Sequence, residues 1–274
     1  MRQLRQKVDR IDLKILKLLQ QRIKLSTRIG QVKRRHGAPV YAPQREAELR
    51  IRVTNLSKGK LPAPAVEAIF REIMSHSRAV QGQAPLGLLH ASAGLIKAPA
   101  RWQFGACDSF VAKKTWLELA AGIKTGSLTL GLLTGKDLAS VLKDTSTRQH
   151  FLTHFEVVSD FTPGLENEVP LTHRIFVVTP RNQGVTILAN RALILIECKS
   201  TLNTVKKLAN SMSKRPIRVE ELILRKPSTA LVRVTLPQRM DALKLADLLW
   251  VSGESLGAQI SPLGVYLGTE NYGG

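Results

Sequence analysis

The sequence predicts a multidomain fold: an all-α helical unit, then a reduced α/β unit, then a ferredoxin-like βαββαβ unit. Three observations carry this. Residues 4–36 hold no proline and a single glycine, Gly30, and their apolar residues recur at steps of three and four. After Gly82-Gln83-Ala84-Pro85 the pattern shifts to short apolar runs separated by helical stretches. From residue 190 to 268 the stretches follow in the order βαββαβ. The expected boundaries are therefore 1–82, 86–183 and 190–268.

The first helix is marked by Leu4, Val8, Ile11, Ile15, Leu18, Leu19, Leu25, Ile29 and Val32. At 1.5 Å per residue it spans about 45 Å, a length that suggests a bundle or packing between subunits. His36-Gly37-Ala38-Pro39 stops it. A second helix is expected from Ala42 to Ser57 and a third from about Ala63 to Gln81, with Val66, Ile69, Phe70, Ile73, Met74 and Val80 inward. Beyond Pro85, strands are expected at Leu86–Leu89, Leu128–Leu133, Phe155–Val158 and Ile175–Val178, and helices at Val111–Ile123 and Lys136–Leu142; residues 145–172 carry no clear pattern. The last unit should place strands at Ala192–Glu197, Arg218–Leu224, Ala230–Leu236 and Gln259–Leu267, with helices at Leu202–Met212 and Ala242–Val251.

The 274 residues carry a net charge of +20. Residues 1–82 hold 19 Lys/Arg against 6 Asp/Glu, so that third of the chain carries +13 of it. Such a field attracts anions: nucleic acid, acidic headgroups or a small dicarboxylate. Tyr41 and Phe70 are the only aromatics there, so no stacking platform for bases interleaves the cations, and nucleic acid is not the expected partner. No run of about 18 apolar residues occurs, so no membrane span is expected. Met1-Arg2-Gln3-Leu4-Arg5 leads straight into the amphipathic pattern without a signal-like apolar core. Cys107 and Cys198 are the only cysteines, which makes no disulfide framework or metal spacing, and a reducing cytoplasm is expected.

Several polar residues share helical faces. Arg22 and Lys33 lie eleven apart, close to three full turns, with Cα atoms roughly 16 Å from one another, room for a ligand with two anionic groups. Ser77 and Gln81 are four apart on the third helix. Arg45 and Glu46 open the second helix. Arg5 lies about 25 Å before Arg22 along the axis, so it can serve such a pocket only from a partner subunit. Any one arginine on a basic helix is ordinary surface; it is the joint pattern over three helices that points to a site.

Those residues carry a resemblance. Arg5 with Val8-Asp9-Arg10-Ile11-Asp12, Ile15-Leu16-Lys17-Leu18-Leu19, Arg22, Ile29-Gly30 and Lys33 resembles the first helix of the all-helical chorismate mutases. Val40-Tyr41-Ala42-Pro43-Gln44-Arg45-Glu46 resembles the start of their second helix. Ile69-Phe70-Arg71-Glu72-Ile73-Met74-Ser75-His76-Ser77-Arg78-Ala79 resembles the third helix of proteins that fuse this domain to prephenate dehydratase. The resemblance implies an intertwined homodimer that rearranges chorismate to prephenate without metal or cofactor. It implies that Arg22, and Arg5 of the partner subunit, bind carboxylates. It implies further that Lys33 and Gln81 donate to the ether oxygen, that Glu46 meets the ring hydroxyl, that Ser77 meets a carboxylate, and that Arg45 supports the site by ion pairing. One departure is Ala42, where the family often has an acid. Competing expectations are an isochorismate-pyruvate lyase on the same helices and a non-catalytic regulatory subunit of the aromatic pathway.

Further on, Ala106-Cys107-Asp108-Ser109-Phe110, Trp116–Thr125 and Leu171-Thr172-His173-Arg174-Ile175-Phe176-Val177-Val178 resemble pieces of prephenate dehydratase. Leu88-Leu89-His90-Ala91-Ser92-Ala93-Gly94 stands where that family has a glycine-rich opening, its Pro-x-Glu-Asn-Ser motif is absent, and residues 86–183 are about half of what two lobes require. Dehydratase activity is therefore expected to be lost. Residues 190–268 resemble an ACT domain by element order and by Ile260-Ser261-Pro262-Leu263-Gly264-Val265-Tyr266. With Thr201-Leu202-Asn203-Thr204 and Glu221–Pro227 in place of its amino-acid-binding stretches, a dimerisation role is expected before phenylalanine binding.

Overall fold

In the computed structural model the proline-free stretch forms α1, Arg2–Arg35, 34 residues long. Lys33, Arg34 and Arg35 fill its last turn, where cations oppose the negative end of the helix dipole. Gly37, at φ +63°, turns the chain. Helix α2, Pro43–Ser57, opens on Pro43, whose fixed φ and missing N–H suit a first turn. It ends at Lys58 and Gly59, both left-handed. Helix α3, Ala63–Val80, again has a proline in its first turn. The structure describes residues 1–162, 169–181, 188–197, 218–225, 229–241, 244, 247 and 258–266.

The α/β region contains β1 (Leu86–Leu89), α4 (Ala93–Phe104), β2 (Phe110–Lys113), α5 (Trp116–Lys124), β3 (Leu130–Thr134), α6 (Gly135–Lys143), α7 (Thr145–His154), β4 (Phe155–Phe161) and β5 (Ile175–Pro180). The strands form one sheet in the order β2-β1-β3-β5-β4, parallel between β1 and its two neighbours and antiparallel beyond β3. Two expectations are corrected here. Val111, taken for the start of a helix, belongs to β2; the helix begins only at Trp116, where Thr115 caps it by accepting from the Glu118 N–H. Residues 145–154, which showed no clear pattern, are α7, capped by Asp144, and the strand expected at Phe155–Val158 is β4, running on to Phe161.

The last sheet contains β6 (Leu188–Glu197), β7 (Arg218–Arg225), β8 (Thr229–Asp241) and β9 (Gln259–Tyr266) in the order β7-β8-β6-β9, every pair antiparallel. With β6 and β7 pointing the same way and β8 between them, this is the strand arrangement of a split βαβ plan. The expected helix at Leu202–Met212 lies outside the described residues, as does that at Ala242–Val251 apart from Lys244 and Asp247, which are helical. Strands β6 and β8 are longer than their apolar runs predicted.

The α/β region and the last sheet share one core. Leu193, Leu195, Leu231, Leu263 and Tyr266 pack in the same apolar cluster as Trp116, Leu133, Phe151, Phe155 and Phe176. Strand β9 meets β4 so closely that a β-carbon on Gly264 would lie 1.9 Å from the Val157 carbonyl oxygen. Asp160 is fully buried there and forms ion pairs with Arg174, Arg191 and Arg233, the latter two at 3.1 Å. Burial alone would raise its pKa; the three guanidiniums hold it well below the usual carboxylate range.

The helical unit touches the α/β region through Tyr41, whose buried ring meets the edge of Phe104 at 5.8 Å in the core that also contains Leu86, Ile96 and Phe161. The other end of α1 is different. All of the first eighteen residues are exposed, including Leu4, Val8, Ile11, Ile15 and Leu18, and so is Ile69 of α3, expected inward.

Candidate active site

The candidate residues lie where the second half of α1, the start of α2 and the end of α3 meet. What brings these backbones together is Gly30. A β-carbon there would sit 2.7 Å from the Gln81 Cα, so only glycine admits this contact between α1 and α3. One turn further along α1 stands Lys33; two turns back stands Arg22.

Arg22 is half-buried, and burial lowers its pKa. Its Nη1 donates to the Ile73 carbonyl at 3.3 Å and to Ser77 Oγ. Ser77 in turn donates its own proton to the Ile73 carbonyl at 2.7 Å. The serine therefore fixes the guanidinium against α3 as an acceptor.

Lys33 Nζ donates to the Val40 carbonyl at 2.8 Å, which ties α1 to the segment entering α2. Partial burial lowers the Lys33 pKa, and the nearby charge of Glu46 offsets part of that shift. Gln81 caps α3, and its backbone carbonyl accepts from Arg34 Nη1 at 2.9 Å. Its amide oxygen is buried with no hydrogen-bond partner, so no protein acceptor or donor claims that end of the side chain. Glu46, in the first turn of α2, completes the group.

The structure thus links these residues by pairwise contacts: Arg22 with Ser77, Lys33 with the Val40 carbonyl, Glu46 with Arg78, and Gln81 with Gly30. Two of the proposed residues stand apart. Arg5 is exposed on α1, roughly 25 Å along the axis from Arg22. Arg45 points to solvent and lies 3.8 Å from Glu48, a surface pair of little energetic weight. The ion-pair support expected of Arg45 comes from a residue the sequence reading passed over, Arg78. Its Nη1 contacts Glu46 Oε2 at 2.7 Å and its Nη2 contacts Asp108 Oδ2 at 3.0 Å. Burial alone would lower its pKa, but the two carboxylates outweigh this and hold it above the ordinary arginine value. The available signal was an arginine flanked by Ser77 and Ala79 on the apolar side of α3, where an unpaired charge is not tolerated.

The electrostatics suit a doubly anionic guest: two cations on α1, an amide at the end of α3, and a single carboxylate already matched by Arg78. Among the described residues no group of three or more His, Cys, Asp or Glu is placed to hold a metal ion, and no helix is long and apolar enough to cross a membrane.

The family described as chorismate mutase type II matches residues 4–82. Over 82 residues the chain is 33% identical to a chorismate mutase of Methanocaldococcus jannaschii, covering 83% of that protein and 30% of this chain. Over 206 residues it is 26% identical to a bifunctional chorismate mutase/prephenate dehydratase of Aquifex aeolicus, covering 74% of this chain and 55% of that protein. The chain thus spans about half the length of that relative. Among solved structures, a prephenate dehydratase from Streptococcus mutans aligns with 68% of this chain and 98% of its own, at a TM-score of 0.44 and 12% identity.

Proposed function

We propose a chorismate mutase activity for this chain, which belongs to the chorismate mutase type II family. The observation that supports it is the close approach of α1 and α3 at Gly30 and Gln81, with Arg22 held on Ser77 of α3 and Lys33 on the segment entering α2. The reaction breaks one C–O bond and forms one C–C bond within a single molecule, so it calls for a held conformer and for donors facing the oxygen that gains negative charge. Arg22, oriented by Ser77, takes one substrate carboxylate. Lys33 and Gln81 donate to the ether oxygen, and Glu46 accepts from the ring hydroxyl.

The functional unit is a homodimer in which Arg5 of the partner subunit supplies the second carboxylate contact. The support is the α1 segment whose apolar residues Leu4, Val8, Ile11, Ile15 and Leu18 are left exposed by the described residues of their own chain. A second α1 offers a matching face.

The α/β and βαββαβ regions follow the order of a dehydratase with an ACT domain, and their role here is structural. Arg174, in the stretch resembling the dehydratase Thr-Arg-Phe strand, is buried against Asp160 instead of facing a cleft. The test is direct. Purified protein should consume chorismate and accumulate prephenate, yield no phenylpyruvate, and release no pyruvate from isochorismate. Protein that folds but leaves chorismate unchanged ends the proposal.

A further inference from the structure

Two of the candidate residues are held by contacts that lead out of the helical unit. Lys33 donates to the Val40 carbonyl, and Tyr41, the next residue, is anchored by its ring against Phe104 at the end of α4. Glu46 is held by Arg78, and Arg78 by the stretch that follows Phe104. Its Nη2 donates to the Phe104 carbonyl and to Asp108 Oδ2. Asp108 is itself fixed: Ser75 Oγ donates to Oδ2 at 2.9 Å and Gln83 Nε2 donates to Oδ1. Arg78 is 3% exposed and Asp108 7%, so water does not screen this chain of contacts.

We propose that Asp108, on the α/β unit, is a positioning residue of the mutase site and acts on Glu46 through Arg78. This rests on the mutase reading given above. A guanidinium is a planar fork whose donors keep fixed relative directions. With both Nη2 protons taken by Asp108 and the Phe104 carbonyl, the plane of the fork is set, and one Nη1 proton points at Glu46 Oε2. Glu46 is thereby held with Oε1 left for the substrate hydroxyl. Without the Asp108 clamp Arg78 still neutralises Glu46, but as a swivelling partner. The region that resembles a dehydratase is on this account part of the mutase's scaffold.

The experiment is a double-mutant cycle on the full chain with Asp108→Asn and Glu46→Gln, read as kcat/KM for chorismate, with circular dichroism to verify folding. If Asp108 works through Glu46, Asp108→Asn lowers kcat/KM about tenfold in the wild-type background but less than about twofold in the Glu46→Gln background. Asp108→Glu, which keeps the buried charge but displaces it, should show the same pattern and serves if the amide variant does not fold. Equal losses in both backgrounds, or no loss in either, overturn the proposal. Wild-type chain without turnover overturns it together with the mutase reading, whereas active wild type with an additive cycle overturns this inference alone.

Discussion

Gly30 and Gln81 meet backbone to backbone: a methyl group added at Gly30 would stand 2.7 Å from the Gln81 Cα and 3.0 Å from its Cβ and carbonyl oxygen. Neither of the nearest atoms is the far end of a flexible side chain, so the helices themselves must separate to relieve the clash. Gly30→Ala should therefore destabilise by about 1–3 kcal/mol and move Gln81 away from Lys33. Thermal unfolding and kcat/KM should both fall. Gly94→Ala, where an added methyl group meets nothing within 4 Å, should leave both intact or raise stability slightly. A Gly30→Ala protein with undiminished turnover would show that the contact does not set the pocket.

Lys33→Ala and Gln81→Ala should each lower kcat by about 10²-fold or more, the cost of losing one donor from a site that stabilises developing negative charge. The comparison is turnover at saturating chorismate with folding checked by circular dichroism. Unchanged kcat in either variant removes that residue from the assigned role.

The pH profile should carry the signature of Lys33. Burial shifts its pKa below the ordinary lysine value, and Glu46 restores part of the difference. Only the protonated form donates, so kcat/KM should decline on the alkaline side with a midpoint below about 10.4, since this parameter reports groups of the free enzyme. Lys33→Arg should carry that limb to higher pH. A profile flat to about pH 10.5 contradicts the assignment.

Shared pockets predict complementation. Arg5→Ala and Arg22→Ala homodimers should each be poorly active, and mixing them after mild unfolding should restore a fraction of intact sites. Replacing Val8 and Ile11 with glutamate should shift the protein toward monomer in sedimentation, because it places charge on apolar positions that a second α1 would cover. No recovery on mixing, with full association of the glutamate variant, counts against the dimer.

Asp160 predicts acid sensitivity. Its folded-state pKa lies below the unfolded value, so its contribution is present above about pH 4 and is lost as pH falls below that. Asp160→Ala should cost about 3–5 kcal/mol near neutrality, the scale of removing one partner from a buried ionic cluster. The stability gap between wild type and variant should narrow as the pH is lowered. A constant gap down to about pH 2 would sink the linkage argument.

How much of this was open to reading differs by element. The long α1, the turns at Gly37 and Gly59, and the spacing of Arg22 from Lys33 were legible because helical periodicity repeats within a few residues and depends on nothing distant. The four strands of the last unit were legible from their apolar runs, whereas their order in the sheet rests on pairings between distant residues. Strand β2 escaped because Phe110–Lys113 is a four-residue edge strand, none of its side chains fully buried, and its short apolar run reads on into the helix that follows.

Sequence by itself determined that Arg22 shares a helical face with Lys33 and Ser77 with Gln81, since side chains close to a whole number of turns apart face one way. Only the tertiary structure decided what holds them. Arg78 reaches Glu46 and Asp108 across separations of 32 and 30 residues, and Tyr41 settles into the core of another unit. Such pairings are chosen by the cost of leaving a charge or a large ring unsatisfied once the layers close, a term that local pattern does not contain.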